Sequence, residues 1–254
     1  LATGGKSYPL TGSSGDGYQM VSRFGHTITP LSPSLVPLET NETIPKVLSQ
    51  LLLKNVRVQA IVDGKSIKPE FGELQFTPSG LSGATILTLS RVLIPALNHQ
   101  KPIIIDIDLK PALDHKKLDK RLLKEFSENA NKRFKTILKN LLPKDLISFC
   151  IDQTGIDPEK TGQTITAEER KKLKQWLKSL KFSISKSRSW SEAIITAGGV
   201  NTKEINPKTL ESRLIKHLYF AGEIIDVDAD TGGFNLQAAF STAYLAALSA
   251  CQNS

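Results

Sequence analysis

Residues able to do chemistry concentrate near the C-terminus, in Leu218-Tyr-Phe-Ala-Gly-Glu-Ile-Ile-Asp-Val-Asp-Ala-Asp-Thr-Gly-Gly-Phe-Asn-Leu-Gln237. A short apolar strand, Leu218–Ala221, is predicted to run into Gly222-Glu223. An acidic loop follows, then Thr231-Gly232-Gly233 and an alanine-rich helix. Two glycines at a helix entrance let the backbone approach a ligand closely, because no Cβ intervenes. The first N–H groups of that helix lack internal partners and lie at the positive end of its dipole. This pattern describes a site for an electron-rich or anionic cofactor group. Glu223, at a strand end, suits a carboxylate accepting hydrogen bonds from ribose or ribitol hydroxyls, or equally a helix-cap or loop-surface acid.

Other candidate motifs carry less. The N-terminal stretch Ala2–Gly17 has five glycines in sixteen residues, and such a loop wraps a phosphate or sugar or simply connects a strand to a helix. It is not a P-loop, since Gly5-Lys6-Ser7 lacks the upstream glycine at the required distance. No GxGxxG dinucleotide fingerprint occurs anywhere in the chain. Asp226, Asp228 and Asp230 alternate as calcium ligands do, but no Glu follows at the EF-hand distance, so no metal is expected. His26, His99, His115 and His217 form no ligand pair at helical spacing, and no GxSxG elbow is present. No side chain is singled out as a catalytic acid or base.

The 254 residues suffice for a full core and two domains, and 39% hydrophobic with 23% charged residues is the balance of a soluble globular protein. No apolar run approaches the roughly 18 residues of a membrane span, and the start has no signal-peptide pattern. Cys150 and Cys251 fit neither a metal spacing nor a disulfide framework and read as reduced thiols, so a cytoplasmic protein is expected. Of the net charge of +8, residues 110–178 supply nearly all, with 17 Lys or Arg against 10 Asp or Glu. That stretch lacks interleaved aromatics and any nucleic-acid motif, so a solvated helix face is expected and no nucleic-acid partner. The opening Leu1-Ala2-Thr3-Gly4-Gly5, without Met, reads as a piece of a longer protein.

The elements expected to position the site fall into three stretches. Residues 1–39 read as a strand end, a glycine-rich loop, a helix over Asp16–Phe24 capped by Ser13 or Ser14 and stopped at Gly25, and an extended segment kept open by Pro30, Pro33 and Pro37. Residues 40–188 differ in character. Val56–Val62 alternates as a strand and meets a hairpin signal at Asp63-Gly64; Gly72–Thr77 and Ile103–Asp108 are further strands, and Ser82–Leu97 has the composition of a buried helix. Leu118, Leu122, Phe126, Ala130, Phe134, Leu138 and Leu141 form one apolar stripe on a helix ended by Pro143, and Thr166–Glu169 is a capping box opening a second. Two antiparallel helices on a small β-unit are expected. From Phe182–Ser185 onward strands return, over Glu192–Gly199 and Leu218–Ala221. The last helix, from Phe234 to about Ala250, is apolar nearly all round, as helices buried against a sheet are. The whole reads as a domain spanning 1–39 and 189–254 interrupted by an insert over 40–188.

Ala2–Tyr18, Phe76-Thr-Pro-Ser-Gly-Leu-Ser-Gly83, Thr196-Ala-Gly-Gly-Val200 and Leu218–Gln237, in this order, resemble the NAD(P)/FAD-dependent oxidoreductase family of bacterial flavoproteins that includes aminoacetone oxidase. The resemblance covers the whole chain, closely at its ends and only in character through the Lys-rich middle. It implies an α/β fold: a Rossmann-like FAD domain interrupted by an insert, with a small β-barrel over about 40–112 and helices over about 113–180. It implies FAD contacts at Thr3 and Gly4. Gly222 and Glu223 would stand at the ribityl–pyrophosphate side, and Gly232, Gly233, Phe234, Asn235 and Leu236 around the isoalloxazine. The sequence departs from the family pattern with Thr77-Pro78 in place of Thr-His and Gly83-Ala84 in place of Gly-Pro.

The function implied is that of an FAD-dependent oxidoreductase acting on a small molecule, with an amine substrate and an NAD(P)H link as candidates. The family's GxGxxG unit would lie upstream of Leu1, so weak or no FAD binding is expected of this chain alone. Two rivals are a non-catalytic module whose basic helices recruit an acidic partner, and a nucleotide-binding transferase, which lacks its P-loop.

Overall fold

A computed structural model describes residues 1–252. In chain order its strands are β1 (Ser32–Ser34), β2 (Leu38–Thr40), β3 (Leu52–Val62), β4 (Lys65–Ser66), β5 (Glu70–Thr77), β6 (Gly80–Ser82), β7 (Ile103–Asp108), β8 (Leu180–Ser187) and β9 (Ile195–Ala197). Its α-helices are α1 (Asp16–Arg23), α2 (Ala84–Asn98), α3 (His115–Glu128), α4 (Phe134–Ile137), α5 (Lys144–Thr154), α6 (Ala167–Lys178) and α7 (Phe234–Gln252). They divide between two compact units, one formed by Leu1–Leu38, Ile86–Gln100 and the chain from Lys186 onward, the other by Glu39–Thr85 and Lys101–Ser185. The segment Ile86–Gln100 thus clusters with the terminal stretches, whereas the sequence placed it within the insert over 40–188.

The second unit is a six-stranded barrel with helices. Its strands run in the order β3-β5-β6-β2-β8-β7, and β7 pairs back on β3 to close the ring. Closure leaves no open edge, and the alternating side chains fill the inside. Ala60 of β3 stands beside Ile105 of β7, which stands beside Phe182 of β8; Val58, Ile107 and Leu180 form the next row. All six are buried. Phe76 meets Phe182 edge-on at 5.7 Å, and Phe149 of α5 stacks on Phe182 at 6.4 Å.

The imperfect alternation of β3 has a local cause. Its register against β5 shifts between Leu53 and Val56, where Asn55 takes a φ of 56°. This bulge inserts one residue, so inward positions change from odd to even numbers. At the far end Asp63 and Gly64, both at positive φ, make the two-residue turn that pairs Val62 with Lys65.

The helices of this unit differ from the two expected. The stripe from Leu118 to Leu141 is not one helix: α3 ends at Glu128, the chain extends so that Arg133 bridges Thr161, and α4 begins at Phe134. The spacing misleads because Phe126 and Phe134 still meet across the break, ring centres 6.4 Å apart. Pro143 stands as the cap residue of a further helix, α5, which the sequence reading missed. The capping box at α6 forms as expected, with Thr166 Oγ1 accepting from Glu169 N and Thr166 N donating to the Glu169 carboxylate.

The first unit carries the chain termini. α1 is capped by Gly15 in a left-handed conformation, not by Ser13 or Ser14. β1 and β9 pair antiparallel, Pro33 against Thr196. Leu218–Ala221 is extended but too sparsely bonded to be a strand: Tyr219 O accepts from Leu1 N, Ala221 N donates to Leu1 O, and Phe220 N donates to Leu210 O. The core gathers Tyr18, Val21, Val200, Phe220, Ile224 and Ala246, among others. α7 contradicts the expectation of burial. Only Ala246 and Ser249 of its residues are buried, while Phe234, Phe240 and Tyr244 are more than 60% exposed. A helix apolar all round offers no single face to a core, and here its small residues are the ones packed.

Burial pushes the Cys150 thiol up to about 12, whereas Cys251 is exposed. Since the thiolate is the reactive form, a thiol reagent at about pH 8 labels the native chain once, at Cys251, and the denatured chain twice. Mass spectrometry of the labelled protein checks this; rapid labelling of Cys150 in native protein would contradict its burial.

Candidate functional site

A cavity of about 390 Å³ opens in the first unit between Leu35, the start of β9 at Ile194 and Ile195, the Gly222–Ile225 turn and the start of α7. Of the residues expected at a cofactor, Gly222, Glu223, Gly232, Gly233, Asn235 and Leu236 all line it. Phe234 is not among its lining residues and its side chain is largely exposed. Thr3 and Gly4 also lie outside the lining; they reach the site indirectly, through the loop they begin.

Glu223 organises one side. Its Oε1 accepts from Ser7 Oγ at 3.0 Å and from Thr196 N at 2.8 Å. Thr196 Oγ1 in turn accepts from Lys6 N and Ser7 N. The N-terminal loop is thereby bound to β9 and to the turn at Gly222. Gly5 makes this approach possible: a Cβ there would stand 2.1 Å from Glu223 Oε1. Tyr18 Oη donates to the Glu223 backbone carbonyl at 3.2 Å. Burial, with the nearby Glu223 charge, raises the Tyr18 phenol above its ordinary range, so it remains a donor. Oε2 of Glu223 has no hydrogen-bond partner among the described residues.

The other side is the entrance to α7. Gly232 and Gly233 adopt φ of 116° and 90°, left-handed conformations that glycine alone takes without strain. Nothing lies within 4 Å of the Cβ position of Gly233, so the backbone there faces open space. The first helical bond runs from Gln237 N to Gly233 O, which leaves the preceding N–H groups outside the helix ladder. The Asn235 side chain is occupied: Oδ1 accepts from Ala229 N and Nδ2 donates to Ala229 O, both at 2.8 Å. It closes the loop onto the helix start, so what Asn235 can offer a ligand is backbone. Gly222 N likewise donates to Thr242 Oγ1 at 2.9 Å, fixing the turn against α7.

Sequence reasoning missed Arg91. From α2 its Nε donates to Asp228 Oδ2 at 2.5 Å, Nη2 to the Asp228 carbonyl at 2.7 Å and Nη1 to Asp230 Oδ1 at 3.0 Å. Two of the three alternating aspartates, Asp228 and Asp230, are thus counterions of an arginine. A separation of 137 residues gives no local signal of this pairing. Among the described residues no cluster of ligating side chains could hold a metal ion, and no helix is long and apolar enough to cross a membrane.

A second network lies away from the cavity. His26 is buried, with Nδ1 2.9 Å from Glu204 Oε2 and Nε2 2.8 Å from Ser212 Oγ. The order of groups is that of a hydrolytic triad, but Ser212 is itself buried and its Oγ accepts from Leu214 N and Ile215 N. It anchors a loop and presents no nucleophile to solvent. Hydrogen bonds from Thr27 and His26 hold the Glu204 carboxyl below its usual range.

The glycine-framed cavity, the carboxylate beside it and the helix entrance agree with a family assignment covering nearly the whole chain. The model of the HI0933-like protein Rossmann domain matches residues 1–249. The chain belongs to this family. The family is of the FAD-binding oxidoreductase type. The chain is 29% identical over 252 residues, 99% of its length, to a 3-dehydro-bile acid delta(4,6)-reductase of Clostridium scindens. It is 33% identical over 249 residues to a ribosomal RNA dihydrouridine synthase of Haemophilus influenzae, and 29% identical over 247 residues to the Escherichia coli protein of the same name. It spans about three-fifths of the length of these curated relatives, 61%, 59% and 59% respectively.

Replacing Arg91 with Met leaves the loop around Asp228 without its three donors. Losing about 1.5 kcal/mol of local stability, the low end for one charged hydrogen bond, raises the open population about tenfold. Digestion with a protease that cuts before aspartate is therefore expected to cleave at Asp226, Asp228 or Asp230 about tenfold faster in Arg91→Met. Equal rates would show that Arg91 does not hold the loop.

Proposed function

We propose that this chain forms the substrate-side half of an FAD-dependent reductase acting on a carbon–carbon double bond conjugated with a carbonyl group. The observation that carries the reading is the cavity between Glu223 and the start of α7. Its walls combine apolar side chains, Leu35, Ile195 and Leu236, with glycine backbone at Gly232 and Gly233. Apolar walls with backbone donors at one end suit a planar, electron-rich ring, so the residues present fit a flavin. Bound there, FAD would supply the two-electron chemistry.

The protein's own groups then have separable roles. Glu223 Oε2 accepts a hydroxyl of the cofactor's sugar-like chain. The free N–H groups at the α7 entrance, with the helix dipole behind them, favour negative charge on the ring edge. Leu35, Ile195 and Leu236 exclude water from its face. Thr3 and Gly4 contribute by setting the path of the loop whose Gly5 and Ser7 hold Glu223 in place.

The bond class follows from what the relatives' names share. A delta(4,6)-reductase saturates ring double bonds conjugated with a ketone, and a dihydrouridine is a uracil ring whose double bond beside a carbonyl has been saturated. Both are reductions, which favours an alkene substrate over an amine, with NAD(P)H as the donor class. With FAD supplied in excess, the bound flavin is expected to bleach under NAD(P)H and recover its absorbance when 2-cyclohexenone is added. Gly233→Val, which forces a branched side chain into a left-handed conformation, is expected to lower flavin content severalfold. Failure of the chain to bind FAD even when the cofactor is added to saturation, or reduced flavin indifferent to the enone, would overturn the proposal.

A further inference from the structure

The second unit presents a charged surface that the cavity does not use. On α3, Lys116, Lys117, Lys120 and Arg121 are all exposed, at spacings of one, three and one. At 100° per residue they fall within an arc of about 140°, along about 7.5 Å of axis. Leu118, Leu122 and Phe126 occupy the opposite, buried side. None of the four cations forms an ion pair among the described residues.

The acids that could neutralise them are engaged elsewhere. Asp114 accepts from Lys117 N as the helix cap. Asp119 is shared by Arg170 and Lys174 at 3.3 and 3.0 Å. Glu125 accepts from Asn140, and Glu128 pairs with Lys124 one turn further on. The uncompensated field is felt nearby: burial, then the positive charge of Arg121, lowers the Lys110 ammonium from its ordinary range. A solvated helix face normally intersperses both signs; this one collects a single sign, with the Asp114 carboxylate close by only at the helix cap.

We infer that the exposed face of α3 is a docking surface for the phosphodiester backbone of RNA. Four lysine and arginine heads on one short strip match a polyanion whose charges repeat at close intervals. The strip has one large apolar side chain, Leu123, and no aromatic ring, so it lacks the anchors on which a protein partner's affinity normally depends. Phosphate contacts position without reading sequence, so α3 would hold an RNA and leave base selection to other groups. This replaces the expectation of an inert helix face. It rests on the reductase reading only for what is done to the RNA; the docking itself needs no flavin.

The test is fluorescence anisotropy of the full chain with a labelled 24-nucleotide RNA hairpin. The variant is Lys116→Glu/Lys117→Glu/Lys120→Glu/Arg121→Glu, with thermal unfolding confirming that these exposed changes leave the fold intact. A control of equal charge change, Lys46→Glu/Lys65→Glu/Lys68→Glu/Lys101→Glu, alters exposed lysines elsewhere in the same unit. Four phosphate contacts on a duplex stem predict about a 150-fold loss of affinity between about 50 and 200 mM salt. The α3 variant is expected to bind at least about tenfold more weakly with a flattened salt dependence, and the control to bind nearly as wild type. No RNA binding, or equal losses in both variants, would overturn the docking surface. So would tighter, α3-dependent binding of polyglutamate, which would assign the face to an acidic protein. The flavin and enone measurements fail or succeed independently of these outcomes.

Discussion

One oxygen atom holds the cavity together. Glu223 Oε1 receives a hydroxyl from Ser7 and a backbone N–H from Thr196, joining segments separated by 216 and 27 residues in the chain. Hydrogen bonds to a charged acceptor contribute about 1.5–3 kcal/mol each, more than neutral ones. The surrounding residue choices follow from that atom. Position 5 must be glycine, because any side chain would occupy the space of the carboxylate. Thr196 must carry a hydroxyl to receive the two N–H groups of Lys6 and Ser7. Gly222 places Glu223 at the turn, and Thr242 of α7 fixes Gly222 in its turn. Glu223 is thus both a fastening and a wall of the cavity.

How far the molecule is legible in its sequence depends on the range of the interaction. The hairpin at Asp63-Gly64, the strand Ile103–Asp108 and the Thr166 capping box are set by residues within a few positions of one another, and each forms as read. That the glycine pair and Glu223 line one cavity was legible for the same reason, since their motif is contiguous. Arg91 was not, because nothing near it in sequence indicates Asp228. The single helix expected across residues 115–141 fails more instructively. Apolar spacing reports which side chains share a core, and Phe126 and Phe134 do share one; it does not report that the backbone between them leaves the helix. α7 fails in a third way, since an unbroken apolar surface says that a helix is sticky without saying what it meets.

The two units hold their ionic groups differently. In the first, charges are gathered into discrete clasps: Arg91 on the acidic loop, Glu223 at the cavity, and Glu204 with His26 and Ser212 behind the core. Each closes a loop that has almost no regular structure of its own. In the second, the barrel needs no such help, because its strands close on one another and aromatic rings fill the interior. Some of its lysines still tie elements together, as Lys174 does to Asp119, Lys160 to Glu169, and Lys178 to Asp108 and the carbonyls of Lys110 and Leu113.

α7 has a consequence for the protein as a colloid. Phe240, Tyr244 and Leu248 follow one another at four-residue intervals on its exposed side, a ridge of oil along a molecule carrying eight excess positive charges. Two molecules are kept apart by that charge and drawn together by that ridge. Added salt weakens the repulsion over a Debye length of about 10 Å while leaving the attraction intact, or strengthening it when the anion is sulfate. Solubility in such a molecule is an ionic property borrowed from one unit to shield an apolar liability on the other, and buffer composition sets the balance between them.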